Sequence, residues 1–155
     1  MSEYLEFSIV KGDHLKEYVP IFAFCRSSNY YQAFCNYTDY GKMKELDFEI
    51  IATIKHNTQI EIDAINERIL DNENELCFLK NVGLTLDDLR NTYRDIQEAI
   101  KEEIKMRKGW EEVLHLLDFL FLIVHENMFL PKLDMAHVYF GIECGFDPCP
   151  EEDGE

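Results

Sequence analysis

The chain has 155 residues, 46% of them hydrophobic, and carries 31 acidic against 15 basic side chains, a formal charge of -16. One domain of this length buries roughly 70% of the surface its unfolded chain exposes, so a second full domain does not fit. The charge argues against holding nucleic acid or anionic lipid by general electrostatic attraction, and makes a basic protein surface the expected charged partner.

Residues 4–10, YLEFSIV, alternate with Leu5, Phe7 and Ile9 on one side and Tyr4, Glu6, Ser8 and Val10 on the other, the period of a half-buried strand. Lys11-Gly12-Asp13 signals a turn, and residues 19–25 form a second strand whose Pro20 belongs at a strand start or an edge. The two are expected to pair antiparallel. Ser27-Ser28-Asn29 offers a cap for a short aromatic helix, NYYQAFCNY, ending near Asp39-Tyr40-Gly41.

From 42 to about 80, Met43, Leu46, Ile50, Ile54, Ile62, Ile65, Ile69, Leu76 and Leu79 keep helical spacing, with Thr58 filling a gap in the stripe. A helix of that length reaches roughly 58 Å, so a break is expected near Asp71-Asn72-Glu73-Asn74, or the helix projects. The alternative is a β-hairpin, strands 48–55 and 59–63 around His56-Asn57. Gly83 reads as a C-cap, and Thr85 with Asp88 resembles the next helix start. Over 85–107, Leu86, Leu89, Tyr93, Ile96, Ile100 and Ile104 step by 3, 4, 3, 4 and 4, close to a heptad seam. Together 42–80 and 85–107 make an antiparallel αα-hairpin.

Lys108-Gly109 leads into a helix at 110–130, stopped by Pro131. Val113, Leu116, Leu117, Leu120, Phe121, Ile123, Val124 and Met128 cover more than half its circumference, which predicts a helix buried by several neighbours. The remaining run, 136–144, alternates Val138, Phe140 and Ile142 on one face and is placed as a third strand returning to the N-terminal pair. The predicted fold is therefore α+β: a small antiparallel sheet (4–10, 19–25, 136–144), a long hairpin and a buried central helix. Residues 1–150 form one domain, with the hairpin at 42–107, and 151–155 an acidic, disordered tail.

The N-terminus has neither the basic nor the apolar region of a secretory signal, and no apolar run approaches the roughly 20 residues that span a bilayer, so a cytoplasmic protein is expected. Five cysteines, an odd count without an export signal, predict reduced thiols.

Few constellations carry chemistry. The polar stripe of the central helix aligns Glu111, His115, Asp118 and His125, side chains able to ligate a metal or exchange a proton. Glu112 and His115 form one Glu-x-x-His pair, but the second copy that a di-iron bundle uses is missing. A solvated polar line on an apolar helix explains the same residues. His125, His137, Cys144 and Cys149 offer zinc donors at spacings unlike structural zinc sites. The isolated glycines assemble neither a P-loop nor a dinucleotide fingerprint. No cofactor is expected.

The leading functional expectation is a non-catalytic interaction protein, such as an inhibitor, immunity protein or nucleic-acid mimic, presenting carboxylates to a basic partner. Residues 109–155 hold 11 acidic residues and one basic, whereas 84–108 hold six of each. The expected contact residues are Glu111, Asp134, Glu143, Asp147, Glu151, Glu152 and Asp153, with the tyrosines Tyr30, Tyr31, Tyr37 and Tyr40, which bury area at small entropic cost. A second expectation is a homodimeric assembly protein joined through the hairpin, with Asn57 or Asn72 fixing register. A third is a metal-dependent enzyme built on the central stripe.

Overall fold

The computed structural model describes residues 2–11, 18–39, 41–83, 86–126 and 136–145. The fold is α+β, and the chain forms two compact units, one of residues 1–56 with 113–155 and one of residues 57–112.

The first unit is built on an antiparallel sheet of four strands, β1 (Ser2–Lys11), β2 (Tyr18–Cys25), β3 (Lys44–Glu45) and β4 (Ala136–Gly145), in the order β2-β1-β4-β3. The third predicted strand does return to the N-terminal pair, and it lies against β1 with Leu5 opposite Ile142, Phe7 opposite Phe140 and Ile9 opposite Val138. On the other side of β1, Leu5 faces Phe24 and Phe7 faces Phe22. A register shift follows between Phe7 and Ser8, so Ser8 meets Pro20 on the edge strand. An edge is where proline is tolerated, since it has no N–H to give the ladder.

Central placement gives β1 more burial than its alternation implies. Leu5, Phe7 and Ile9 are buried on one face, but Ser8 and Val10 on the other are fully buried too. Ser8 Oγ has no hydrogen-bond partner there. The core face collects rings from several elements: Phe34 stands edge-on to Phe7 at 4.9 Å and to Phe140 at 5.6 Å, and Phe22 meets Phe119 at 5.8 Å. Phe34 comes from the short aromatic helix α1 (Asn29–Phe34), which continues as a 3-10 turn, Cys35–Tyr37. Its cap is Ser28, whose Oγ accepts from the Tyr31 N–H at 3.1 Å.

The helix expected from residue 42 starts six residues later. Residues 44 and 45 are taken by β3, and the Leu46 N–H donates to the Val138 carbonyl at 2.7 Å. Asp47 then caps helix α2 (Phe48–Val82), accepting from the Ile50 N–H at 2.8 Å. A glycine lets the segment before β3 approach β4: a Cβ on Gly141 would lie 2.9 Å from both Lys42 O and Met43 Sδ.

Residues 48–63 are helical, which removes the β-hairpin alternative, and α2 runs its 35 residues without a break at Asp71–Asn74. Helix α3 (Asp87–Glu126) likewise runs through Gly109, so the two helices expected at 85–107 and 110–130 are one of 40 residues. A helical glycine costs about 1 kcal/mol against alanine. That is too little to stop a helix whose inward positions continue on both sides of it, Glu103, Arg107 and Trp110 before Leu114 and Leu117. Residues 127–130, Pro131 and the tail at 151–155 lie outside the described residues.

In the first unit Val113, Leu117, Leu120 and Ile123 of α3 are fully buried, but Phe121 and Leu122 are 42% and 38% exposed. The expectation of burial all round is corrected there: Phe121 makes a cluster with Phe48 and His125 that is open to solvent.

The second unit is an antiparallel helical hairpin. Thr58, Ile62, Ile65, Ile69 and Leu79 of α2 are buried, and Leu89, Tyr93, Ile96 and Ile100 of α3 are half-buried along the inward line, but Leu86 and Ile104, expected in the same seam, are exposed, and Glu103 takes the inward position beside Ile104. Gly83 closes α2 with φ of 98°, its N–H returning to the Leu79 carbonyl at 3.1 Å.

Candidate functional site: the flanks of the helical hairpin

The inward lines of the hairpin advance by alternating steps of three and four residues, Ile62, Ile65, Ile69, Asn72, Leu76 and Leu79 on α2, and Leu89, Tyr93, Ile96, Ile100, Glu103 and Arg107 on α3. Every other residue of the two helices is then fixed to one flank or the other. Two polar pairs mark them. Arg68 reaches Glu103 with Nε to Oε1 at 2.9 Å and Nη2 to Oε2 at 3.0 Å on one flank, and Arg107 donates to Asn66 Oδ1 at 2.8 Å on the other.

The flank carrying Arg68 is acidic. Glu61, Asp71 and Glu75 lie on it from α2, and Asp88, Asp95 and Glu102 from α3, the last three at strict seven-residue steps and all exposed. Apolar side chains stand among them: Phe78, Val82 and Met106 are 65%, 59% and 47% exposed. The opposite side of α3 is rich in basic residues, with Asp87 one seven-residue step before Arg94 on the same row and Asp63 and Glu73 of α2 on that side. Arg90, Arg94, Lys101 and Lys108 form a stripe there, with Lys105 beside it, and Ile104 and the Leu70 of α2 add exposed apolar area. Within α3 the basic residues touch their own helix: Arg94 Nη2 donates to Asn91 Oδ1 at 2.8 Å, while Arg90 stands 3.9 Å from Asp87 and Lys101 3.4 Å from Glu98, ion pairs too exposed to be worth much.

No family model matches this chain, and neither the curated proteins nor the solved structures contain a significant match to it.

The residues expected from sequence to form a site are dispersed. Glu111 belongs to the hairpin unit and pairs with Arg107 at 3.5 Å, while Asp118, in the first unit, pairs with Lys55 at 3.5 Å. His115 is exposed, and His125 stacks on Phe121 with centroids 5.6 Å apart. Among the described residues no group of three or more His, Cys, Asp or Glu side chains is placed to hold a metal ion, and no described helix is long and apolar enough to cross a membrane.

The tyrosine cluster is partly spent on structure. Tyr31 is buried, and its hydroxyl donates to Glu3 Oε2 at 2.9 Å. Burial first, and the bond to Glu3 second, push that hydroxyl up to about 12. Tyr30 stacks on Phe24 at 4.2 Å, and Tyr37 is half-buried. Glu143 on β4 is half-buried and, after burial itself, raises the carboxyl of Glu6. Tyr40, Asp134, Asp147, Glu151, Glu152 and Asp153 lie outside the described residues, as does the side chain of Cys144, and with it the zinc set proposed with Cys149. Cys35 and Cys77 are free, but Cys25 is disulfide-bonded, which corrects the expectation of reduced thiols at that position.

The acidic flank and the basic stripe were missed. Their signal was present as Asp88, Asp95 and Glu102, and as Arg94, Lys101 and Lys108, each set at intervals of seven. Counting six acids against six bases over 84–108 hides the segregation.

Proposed function

We propose that this is a non-catalytic interaction protein whose helical hairpin docks, by its acidic flank, on a basic protein surface. The observation that carries the reading is the mixture on that flank: Phe78, Val82 and Met106 are solvent-exposed among Asp71, Glu75, Asp95 and Glu102. Exposed large apolar groups interspersed with charge supply both apolar contact and electrostatic steering to an interface. The overall charge of -16 favours the same partner class, because it accelerates encounter with cations and repels anions.

The probe that tests it is a synthetic amphipathic lysine/leucine helix of about 20 residues, roughly the 30 Å length of the flank, followed by fluorescence anisotropy. Binding should weaken as salt is raised and should weaken again in Phe78→Ser. Equal binding by the unaltered chain and by an Asp95→Lys/Glu102→Lys variant would sink the proposal.

A further inference from the structure

We infer that the basic surface met by the acidic flank is the basic stripe of α3 in a second copy of this chain, an inference that rests on the docking role just assigned to that flank. The two surfaces match in kind and spacing. Asp88, Asp95 and Glu102 repeat every seven residues on one side of α3, and Arg94, Lys101 and Lys108 repeat every seven on the other. Hairpins laid side by side therefore set carboxylates against cations in one continuous register, over a length of about 27 Å for residues 90–108. Apolar groups accompany both surfaces, Phe78, Val82 and Met106 on the acidic flank, Leu70 and Ile104 on the basic side, so the contact need not be made of exposed ion pairs alone.

The two rows border the outer line of α3, Arg94 next to Asp95 and Lys101 next to Glu102, about 100° apart around the helix. Each copy gives its acidic flank to one neighbour and its basic stripe to another. That contact is heterologous, so it generates a ring or an open series. A face of about 27 Å by the roughly 20 Å width of two packed helices is at the small end for a stable interface, which makes the association concentration-dependent. The overall charge of -16 opposes any self-association. Facing side chains lie well inside the screening length of about 8 Å at physiological ionic strength, whereas remote charges do not, so the local pattern decides.

Sedimentation velocity over a concentration series at physiological salt tests this with two charge reversals. Asp95→Lys/Glu102→Lys inverts the acidic flank and Arg94→Glu/Lys101→Glu inverts the stripe. Each variant alone should associate at least about tenfold more weakly than the unaltered chain. An equimolar mixture should recover association, because the inverted flank of one variant fits the inverted stripe of the other. A mixture no better than its components overturns the inference, as does a chain that stays monomeric at every concentration. If the reversals unfold the hairpin, judged by circular dichroism, the series on the unaltered chain decides. The lysine/leucine peptide separates the two readings: a monomer that still binds it through Phe78 removes the self-association and leaves the docking role, and a monomer that does not bind it removes both.

Discussion

Arg68 holds Glu103 by both of its carboxylate oxygens, at 2.9 and 3.0 Å, and it does so at a point where the inward line of α3 would otherwise carry an apolar side chain. Glu103 is only 19% exposed, whereas Arg68 remains 47% exposed, so the arginine keeps about half of its contact with solvent while fixing the carboxylate. The bidentate geometry sets the register of α2 against α3. An ion pair in such a position specifies alignment more than it stabilises. The double variant Arg68→Leu/Glu103→Leu should therefore raise the thermal midpoint, by about 2–4 °C, whereas Arg68→Ala alone should lower it. Calorimetry that finds the double variant less stable than the single one would reverse this account.

The start of α1 depends on one hydroxyl. Ser28 Oγ accepts from the Tyr31 N–H at 3.1 Å, and the helix is only six residues long. Ser28→Ala should cost about 1 kcal/mol in urea denaturation, with little change in the slope of the transition. Ser28→Asp, which keeps an acceptor, should restore most of it.

Gly141 is required by a close approach rather than by its dihedral angles. A methyl group there would stand 2.9 Å from the Lys42 carbonyl oxygen, a backbone atom that cannot swing aside. Gly141→Ala should destabilise by about 1–3 kcal/mol. It should also speed hydrogen exchange at the Leu46 amide, whose bond to Val138 O depends on that segment staying against β4. An unchanged Leu46 exchange rate would place the strain elsewhere.

The Glu6 carboxyl is raised above its ordinary value of 4.5 by burial first and by Glu143 second. A carboxyl raised in the folded state favours folding fully at pH below its unfolded value, and that contribution is lost as pH climbs through the raised folded value. At neutral pH the ionised Glu6 opposes folding. Glu6→Gln should raise the thermal midpoint at pH 7 by about 1–3 °C, the size expected of a partly exposed charge, and the gain should shrink towards zero below pH 4.5. A gain independent of pH would assign the effect to packing.

Strands β1 and β4 were legible because each alternates over seven or more residues, β2 because it is a run of apolar and aromatic side chains, and the pairing of β1 with β4 follows from their matched apolar faces. The helix ends were less legible. Lys44 and Glu45 carry no strand signal of their own, and only the edge of β4 recruits them. Gly109 and the polar run Asp71–Asn74 read as breaks by local propensity, yet a helix with a continuous inward line tolerates both. Among the described residues, the members of the polar stripe share a helical face but not a set of neighbours: Asp118 is drawn to Lys55, and His125 to two aromatic rings. The charged flanks needed the direction of the inward line before the seven-residue steps acquired meaning.

The hydrogen-bonded pairing of Ser2–Lys11 with Ala136–Gly145 has a consequence for how the chain acquires its shape. The hairpin closes through a short link and can assemble rapidly from neighbours in sequence, whereas the sheet joins segments separated by more than a hundred residues and bears the entropy of closing that loop. During synthesis β1 can pair early with β2, but its other edge stays open until β4 has left the ribosome. The intervening helices, by forming first, shorten the distance the late strand has to search. Slowing elongation after residue 126 should therefore prolong exposure of the open edge of β1 and increase aggregation without altering the stability of the finished protein.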